Sequence, residues 1–345
     1  MKPSIRSRTT ISSVTAIAVL FMFPPLQADA ADRDATTRVG NPIGFASVAG
    51  TTTGGGNAVS TRVTTFAELE AAAQDNAPRV IIVSGTIKTE GGSGMKIASN
   101  KSIIGADRNA TIHGGLFINS VSNVILRNFN LKGIWPDSGP DDAIAVRDSH
   151  HVWIDHLNIW DGGDGNLDIT RESSYVTVSW CKFWYTDRRH PHRLAALIGS
   201  GGGDHPEDWG KLKITYHHNW FADLVDQRMP RLMYGQAHVF NNYYTAAGNS
   251  YCIGVGSYGA ALIENNYFKE VKNPHTFMYD VYCDITTRGN IYDNTTGKKD
   301  SGRGGTRDVA GQKFPVSAFA QPPYSYRLDN AEDVPTIVSR HAGPQ

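Results

Sequence analysis

Short runs rich in β-branched and aromatic residues recur along most of the chain, each long enough for one strand. They are Asn123–Leu131, His151–Ile159, Tyr175–Phe183, Leu212–Phe221, His238–Tyr244, Ala261–Phe268 and Thr287–Tyr292. Their leading apolar residues lie 28, 24, 38, 25 and 23 positions apart, at Val124, Val152, Val176, Ile214, Val239 and Leu262. The longest step contains the glycine-rich insertion Gly199–Gly210. Strands and turns repeating at this interval predict a solenoid, in which each coil buries its apolar face against the next.

A second marker follows the same period at a polar position. Asn219, Asn242, Asn266 and Asn290 lie 23, 24 and 24 residues apart. Asparagines stacked at one corner can pass hydrogen bonds from coil to coil, which explains polar residues inside an apolar stack. We therefore predict an all-β fold, a right-handed parallel β-helix of about seven or eight coils, forming a single domain over residues 31–345. A β-sandwich is the alternative, but its hairpin signals are scarce here.

Both ends of a solenoid are open and need covering. Thr65-Phe66-Ala67-Glu68 is a capping box ahead of the alanine-rich run Leu69–Gln74, so we predict a short N-terminal capping helix. The tail Pro322–His341 is predicted either to wrap the outside of the solenoid or to cap its far end. An apolar stripe marks this tail at Ala331, Val334, Ile337 and Val338.

The first thirty residues predict a secretory signal peptide instead of part of the fold. Three basic residues precede the mostly apolar run Val14–Phe23, and Ala28-Asp29-Ala30 fits a small-x-small cleavage site. The apolar run is too short to span a bilayer. We therefore expect residues 1–30 to be removed from a secreted protein that has no membrane partner.

Charge limits the possible binding partners, and cysteine content limits the possible disulfides. The chain has 33 basic and 33 acidic residues, so no overall field attracts nucleic acid, and any grip on a polyanion must come from a local patch. Three cysteines are present, Cys181, Cys252 and Cys283. Export permits a Cys252–Cys283 disulfide, and buried thiols are the alternative. A monomer is expected.

Candidate metal ligands lie in the acidic stretch Asp141–Asp168. Asp142 precedes Asp164 by 22 residues, close to one coil, so the two would stack at about 4.8 Å. The turn sequence after Asp164 could bend Asp168 toward both. Three close carboxylates repel one another unless a cation lies between them, and oxygen-only ligands favour Ca²⁺. The alternative is that these residues only shape turns.

A basic stretch, QRMPRLMYG at Gln227–Gly235, contains Arg228 and Arg231. Arg193 follows Asp168 by 25 residues, again near one coil, which predicts a column of acidic and basic groups on one outer face. Arginines grip carboxylates in a planar, bidentate manner. Calcium and guanidinium together would suit an acidic sugar polymer. A solvated arginine rim is the alternative.

Four stretches closely resemble the pectate lyases of polysaccharide lyase family 1. They are HVWIDHLNIWDGGDGNLDIT (His151–Thr170), YVTVSWCKFW (Tyr175–Trp184), ITYHHNWF (Ile214–Phe221) and RMPRLMYGQAHVFNNYY (Arg228–Tyr244). The similarity covers nearly the whole mature chain. It implies a right-handed parallel β-helix that cleaves de-esterified homogalacturonan, an acidic plant cell-wall polysaccharide, by β-elimination to 4,5-unsaturated oligogalacturonides.

The resemblance also implies roles for individual residues. The calcium-binding aspartates of the family match Asp142, Asp164 and Asp168, and its catalytic arginine matches Arg228. Arg231 matches the substrate-binding arginine that follows. The chain departs from the family at Met233, where a further basic residue is frequent, and at Arg193, an approximate substitute for the substrate-binding lysine.

Three other activities remain open from the sequence. A polygalacturonase-like hydrolase would use several carboxylates around water, but its GHG and RIK motifs are absent. A pectin lyase acting on methylated polymer without Ca²⁺ would be expected to lack some of the three aspartates. A non-catalytic binder or adhesin would explain the repeats and the signal peptide, but not an acidic cluster facing RMPR.

Overall fold

Each turn of the chain contributes strands to three long sheets, and together they form a parallel β-helix of about nine turns. This computed structural model describes residues 40–89, 94–135, 141–200 and 204–345. These residues belong to one compact unit, Ala35–Gln345. The predicted signal peptide lies outside the described residues. No helix among them is long and apolar enough to cross a membrane.

The described strands fall into sheets of eleven, nine and eight members. Sheet 1 contains β1 Ser60–Val63, β2 Arg79–Val83, β5 Lys101–Gly105, β8 Ser122–Arg127, β11 His150–Asp155, β14 Ser174–Ser179, β17 Lys213–His217, β20 Gln236–Phe240, β23 Ala260–Glu264, β26 Cys283–Arg288 and β28 Gly302–Gly304. Sheet 2 contains β3 Thr86–Lys88, β6 Thr111–His113, β9 Asn130–Lys132, β12 Asn158–Trp160, β15 Lys182–Trp184, β18 Trp220–Phe221, β21 Tyr243–Tyr244, β24 Tyr267–Lys269 and β27 Ile291–Asp293. Sheet 3 contains β4 Met95–Ile97, β7 Leu116–Asn119, β10 Ile144–Arg147, β13 Leu167–Thr170, β16 Ala196–Ile198, β19 Arg231–Met233, β22 Ile253–Gly256 and β25 His275–Met278.

The strand register confirms the first part of the predicted repeat. Val124 pairs with Val152, Val152 with Val176, and Val176 with Ile214, all in parallel strands of sheet 1. The 38-residue step is therefore one coil with an insertion. The structure has about nine turns instead of the predicted seven or eight, because the count from sequence began at Val124 and left out the earlier coils.

In the last two coils, the observed strand register differs from the predicted repeat. Ile214 pairs with Ala237, two residues before the predicted Val239. Ala237 then pairs with Ala261, one residue before the predicted Leu262. Since neighbouring residues of a strand point to opposite faces, Leu262 lies in a small cluster outside the main core, with Phe45 and Phe319.

The main core fills the space between the three sheets, where apolar side chains stack directly from coil to coil. One aromatic column shows the arrangement. Phe183 stacks on Phe221 at 5.2 Å between ring centroids, Phe221 on Tyr244 at 4.9 Å, and Tyr244 on Phe268 at 4.4 Å. Aromatic rings at these separations attract one another beyond their burial, so a column of this kind holds successive coils in register.

The asparagine ladder is confirmed bond by bond. The backbone N–H and the side-chain Nδ2 of Asn219 both donate to Oδ1 of Asn242, at 2.8 and 2.9 Å. Asn242 donates in the same way to Asn266 at 2.9 and 2.9 Å, and Asn266 to Asn290 at 2.9 and 3.0 Å. Each buried amide thus forms hydrogen bonds to the asparagine of the next coil, and buried polar groups need such partners.

Replacing Asn242 by alanine is expected to lower the free energy of unfolding by about 3 kcal/mol, because the N–H of Asn219 and the carbonyls of Tyr216 and Phe240 lose a buried partner. Urea unfolding followed by circular dichroism measures the change. Asn57→Ala, at an exposed position, is the matched control and should alter stability little. Equal stability of the two variants would contradict a structural role for the ladder.

The predicted N-terminal capping helix is present as α1, Phe66–Gln74. Thr65 accepts a hydrogen bond from the backbone of Glu68, and the Glu68 side chain accepts one from the backbone of Thr65, which completes the capping box. Leu69 and Ala73 are buried against the first coils. The helix therefore covers the apolar end of the stack.

Of the two placements predicted for the tail, the structure has the first, because residues 322–345 run along the outside of the coils. We call these residues the C-terminal strap. The strap contains α2, Val334–His341, whose Val334 and Val338 are fully buried. Its last residues donate backbone hydrogen bonds to much earlier coils, from Gly343 to the carbonyl of Trp180 and from Gln345 to Oδ1 of Asn128.

All three cysteines are buried free thiols, and the Cys252–Cys283 disulfide that export would permit is not formed. Burial raises the pKa of the Cys283 thiol to about 12. The thiols therefore stay protonated and pack as small apolar side chains.

Candidate functional site

One row of residues crosses the outer face of sheet 3, because strand pairing places its members side by side from coil to coil. In order along the solenoid the row is Lys96, Phe117, Ala145, Asp168, Leu197, Arg231, Gly254 and Thr276. Alternation along each strand directs this row away from the core, where the neighbours Leu167 and Ile169 are buried. Asp168 and Arg231 are two strands apart, roughly 10 Å at the usual strand spacing.

Asp142 lies just before β10 and stacks on Gly165 of the following coil, with Ala143 N donating to the Gly165 carbonyl at 3.0 Å. A Cβ atom on residue 165 would lie 3.1 Å from Oδ1 of Asp142. The glycine therefore leaves room for the carboxylate. That Oδ1 is buried and has no hydrogen-bond partner among the described residues, which leaves an acceptor open to a ligand.

Burial and neighbouring charges shift the ionisation of two of the predicted aspartates, Asp142 and Asp168. Burial raises the pKa of Asp142, and the charges of Asp168 and Asp164 raise it further. Burial also raises the pKa of Asp168, and the positive charge of Arg228 partly offsets this effect. Carboxylates held in this way favour a nearby cation. The charges of the three aspartates thus act within one neighbourhood, and their role as metal ligands stays a prediction.

Asp164 is engaged by a residue that the sequence did not single out. Its Oδ1 lies 2.6 Å from Nδ1 of His192. Within the described ranges, no three His, Cys, Asp or Glu side chains are arranged as they stand to hold a metal ion. The three aspartates nevertheless form an all-oxygen donor set, the kind that hard cations prefer, and Oδ1 of Asp142 is open.

Arg228 lies three residues before β19, and its charge acts on both Asp142 and Asp168. Its carbonyl accepts a hydrogen bond from Ala196 N at 2.6 Å, and the next residue, Met229, donates to the Cys252 carbonyl at 2.7 Å. Arg228 has a left-handed φ of 61°, which non-glycine residues seldom adopt. The flanking bonds hold this backbone in place. Nε of Arg228 and Nε of Arg231 are both buried without a partner among the described residues.

Arg193 does not lie directly beside Asp168, although 25 residues is close to one coil. Strand pairing sets Leu197 beside Asp168, and Nη1 of Arg193 donates to the carbonyl of Leu224 at 2.8 Å. The next residue, Leu194, stacks on the turn after Asp164, since its carbonyl accepts from Asn166 N at 3.0 Å, so Arg193 lies one coil beyond Asp164. Its substrate-binding role stays a prediction.

Arg147 is the basic residue that sequence reasoning missed. Its charge lowers the pKa of both Asp142 and Asp168 against the effect of burial. Its guanidinium also lies over the Phe117 ring, 5.5 Å from the centroid. Alternation within β10 was the available signal, since Arg147 follows the outward-facing Ala145 by two residues.

Comparison with known proteins settles the family. A family profile described as pectate lyase matches residues 8–345. The chain belongs to the pectate lyase family. It is 39% identical over 248 residues to a pectate trisaccharide-lyase of Thermotoga maritima, a match that covers 68% of this chain and 64% of that protein. A pectate trisaccharide-lyase of Bacillus licheniformis is 33% identical over 318 residues, covering 87% of this chain and 85% of that one.

Solved structures of pectate lyases share the architecture. A pectate lyase from Bacillus sp. N165, solved in complex with trigalacturonate, aligns with a TM-score of 0.66 and 28% identity over 88% of this chain and 98% of that one. The cedar pollen allergen Jun a 1 aligns with a TM-score of 0.66 at 24% identity, over 88% of this chain and 93% of that one, which establishes likeness of fold alone. The predicted parallel β-helix and the family resemblance are both confirmed.

Proposed function

We propose that this chain is a secreted, Ca²⁺-dependent pectate lyase that degrades de-esterified homogalacturonan by β-elimination and releases 4,5-unsaturated oligogalacturonides. The observation that carries the proposal is the half-buried carboxylate pair Asp142 and Asp168 with the charge of Arg228 acting on both, at one edge of sheet 3. Membership of the pectate lyase family, with relatives named for cleaving pectate, supports the same substrate class.

Ca²⁺ held by Asp142, Asp164 and Asp168 would draw charge from a uronate carboxylate and so acidify the neighbouring C5–H. β-Elimination removes that C5 proton and expels the oxygen at C4. Arg228 is the proposed base, with a guanidinium nitrogen receiving the proton. A guanidinium is ordinarily protonated, and only its neutral form can act as the base.

Arg231 has the complementary role of holding the substrate. It lies in the same outward row as Asp168, so a uronate carboxylate bound between the two strands can receive its planar pair of N–H donors. Arg193 is retained as a proposed second contact. These positive groups select an acidic polymer over a neutral one.

Assay on polygalacturonate with and without EDTA tests the function. We expect ultraviolet-absorbing product in Ca²⁺, its loss in EDTA, and its return when Ca²⁺ is restored. Chelator-resistant release of reducing sugar without absorbance would instead indicate a hydrolase. Chelator-resistant absorbance on methylated pectin would indicate a pectin lyase, and binding without turnover a non-catalytic binder.

Export as a monomer is the remaining part of the proposal. The basic and apolar pattern of residues 1–30 supports removal of a signal peptide before action outside the cell. Mass spectrometry of the exported protein and its elution volume in size-exclusion chromatography test both statements. A mature chain that retains residues 1–30, or one that elutes as a dimer, would contradict them.

A further inference from the structure

Tyr251 lies one coil beyond the proposed catalytic arginine, immediately before β22. The two coils are joined at this level by hydrogen bonds from Met229 N to the Cys252 carbonyl at 2.7 Å and from Gly254 N to the Pro230 carbonyl at 3.1 Å. Arg231 pairs directly with Gly254. Tyr251 therefore adjoins both arginines of the RMPR stretch, although it lies about twenty residues away in sequence.

The ring of Tyr251 rests on the outer face of sheet 3 because residue 254 is a glycine. A Cβ atom on residue 254 would lie 2.9 Å from Cε2 of Tyr251 and 3.1 Å from Cγ of Met278. Real Cβ contacts essentially never fall below 3.0 Å. Because Gly254 has no Cβ, the Tyr251 ring can pack on it, beside Arg231 of the paired strand.

The hydroxyl of Tyr251 lies near Arg231 without a well-formed hydrogen bond. Tyr251 is 7% exposed, and its hydroxyl is buried within reach of Arg231 but without a hydrogen bond of good geometry to any described residue. Nε of Arg228 and Nε of Arg231 are also buried without a hydrogen-bond partner among the described residues. Burial raises the pKa of Tyr251, while the charges of Arg231 and then Arg228 act to lower it, which places the phenol close to both guanidinia.

Three unpaired polar groups on one side of a site are costly unless a ligand or a rearrangement satisfies them. A phenol is both donor and acceptor. Its oxygen can accept from Arg231 when that guanidinium turns toward a bound anion, and its ring restricts the directions in which Arg231 can point. A guanidinium limited in this way loses less freedom on gripping a carboxylate.

We propose that Tyr251 is a positioning residue for the lyase reaction, orienting Arg231 toward the carboxylate of a galacturonate unit and so setting the preference for de-esterified substrate. The inference rests on the proposed function and assigns a role to a residue outside the RMPR stretch. Tyr251 acts on substrate grip through Arg231, so its effect falls on KM and on ester discrimination more than on the proton transfer at Arg228.

Tyr251→Phe tests the proposal, because it keeps the ring on Gly254 and removes only the hydroxyl. We expect KM for polygalacturonate to rise about tenfold with kcat changed less than threefold, which corresponds to the loss of one hydrogen bond to a charged group. The ratio of activity on de-esterified to methylated pectin should fall by a similar factor. Tyr243→Phe, on the outer face of sheet 2, is the matched control and should leave both quantities unchanged.

Gly254→Ala provides a second test, since its Cβ displaces the Tyr251 ring while the hydroxyl is retained. It should reproduce the rise in KM, with thermal unfolding confirming a folded chain. Unchanged KM and ester preference in Tyr251→Phe, with an active wild type, would overturn the role of Tyr251 and leave the proposed function intact. A wild type that forms no unsaturated product would overturn the proposed function itself.

Discussion

Replacing Arg228 by alanine should lower kcat for unsaturated-product formation by roughly 10³-fold or more, the usual contribution of a positioned general base. Binding of polygalacturonate should remain measurable, because Arg231 and the aspartates are untouched. Arg228 is chosen as the base because of its position, since its charge offsets the raised pKa of Asp168 more than that of any other arginine. Stopped assays at ultraviolet wavelengths give kcat, and calorimetric titration with oligogalacturonate gives binding.

The control for this variant is Arg327→Ala, at an exposed arginine of the C-terminal strap. It removes the same charge without touching sheet 3 and should keep wild-type kcat. Substantial turnover by Arg228→Ala would end the assignment of Arg228 as base, whatever its effect on binding.

Replacing Asp168 by asparagine should weaken Ca²⁺ binding at least about 100-fold and reduce activity correspondingly at low Ca²⁺. The amide keeps the shape of the side chain but removes one of the negative charges that the cation would neutralise. The charge of Asp168 is also the largest electrostatic contribution raising the pKa of Asp142, so its removal lowers that pKa. Calorimetric titration with CaCl₂ measures the affinity directly, independently of activity.

The matched control is Asp333→Asn, at an exposed aspartate whose side chain makes no capping bond to α2. Its Ca²⁺ affinity should equal that of the wild type. Tight calcium binding by Asp168→Asn would show that the ion is held elsewhere, and the proposed ligand set would be wrong.

The fold could be predicted from the sequence at positions where the structure accepts only one type of residue. The corner asparagines are such a case, because a buried amide needs a donor and an acceptor at fixed intervals, and the ladder from Asn219 to Asn290 meets that need. Apolar residues are less restrictive. Val239 shares the core face of Ala237 two residues on, whereas Leu262 lies on the opposite face from Ala261, since either face of a buried strand can be apolar.

The site could be predicted only as far as chain spacing equals coil spacing. The coil from Asp142 to Asp164 contains no insertion, so counting residues agrees with the structure, which sets Asp142 against Gly165. Between Asp168 and β16 the turn is longer, and Leu197, four residues beyond Arg193, takes the place in the column. His192 and Tyr251 were missed because their importance depends on contacts between turns, which no interval along the chain reveals.

The C-terminal strap changes how the coils depend on one another. In a stack whose units touch only their neighbours, each end can fray without disturbing the middle. Here Tyr324 contacts Thr215 and His238, and the carbonyl of Asp329 accepts from Asn241 and Asn265. Residues at the very end of the chain also fasten coils as early as β8. Opening one turn therefore breaks contacts shared by several, so we expect the coils to unfold together in one cooperative transition.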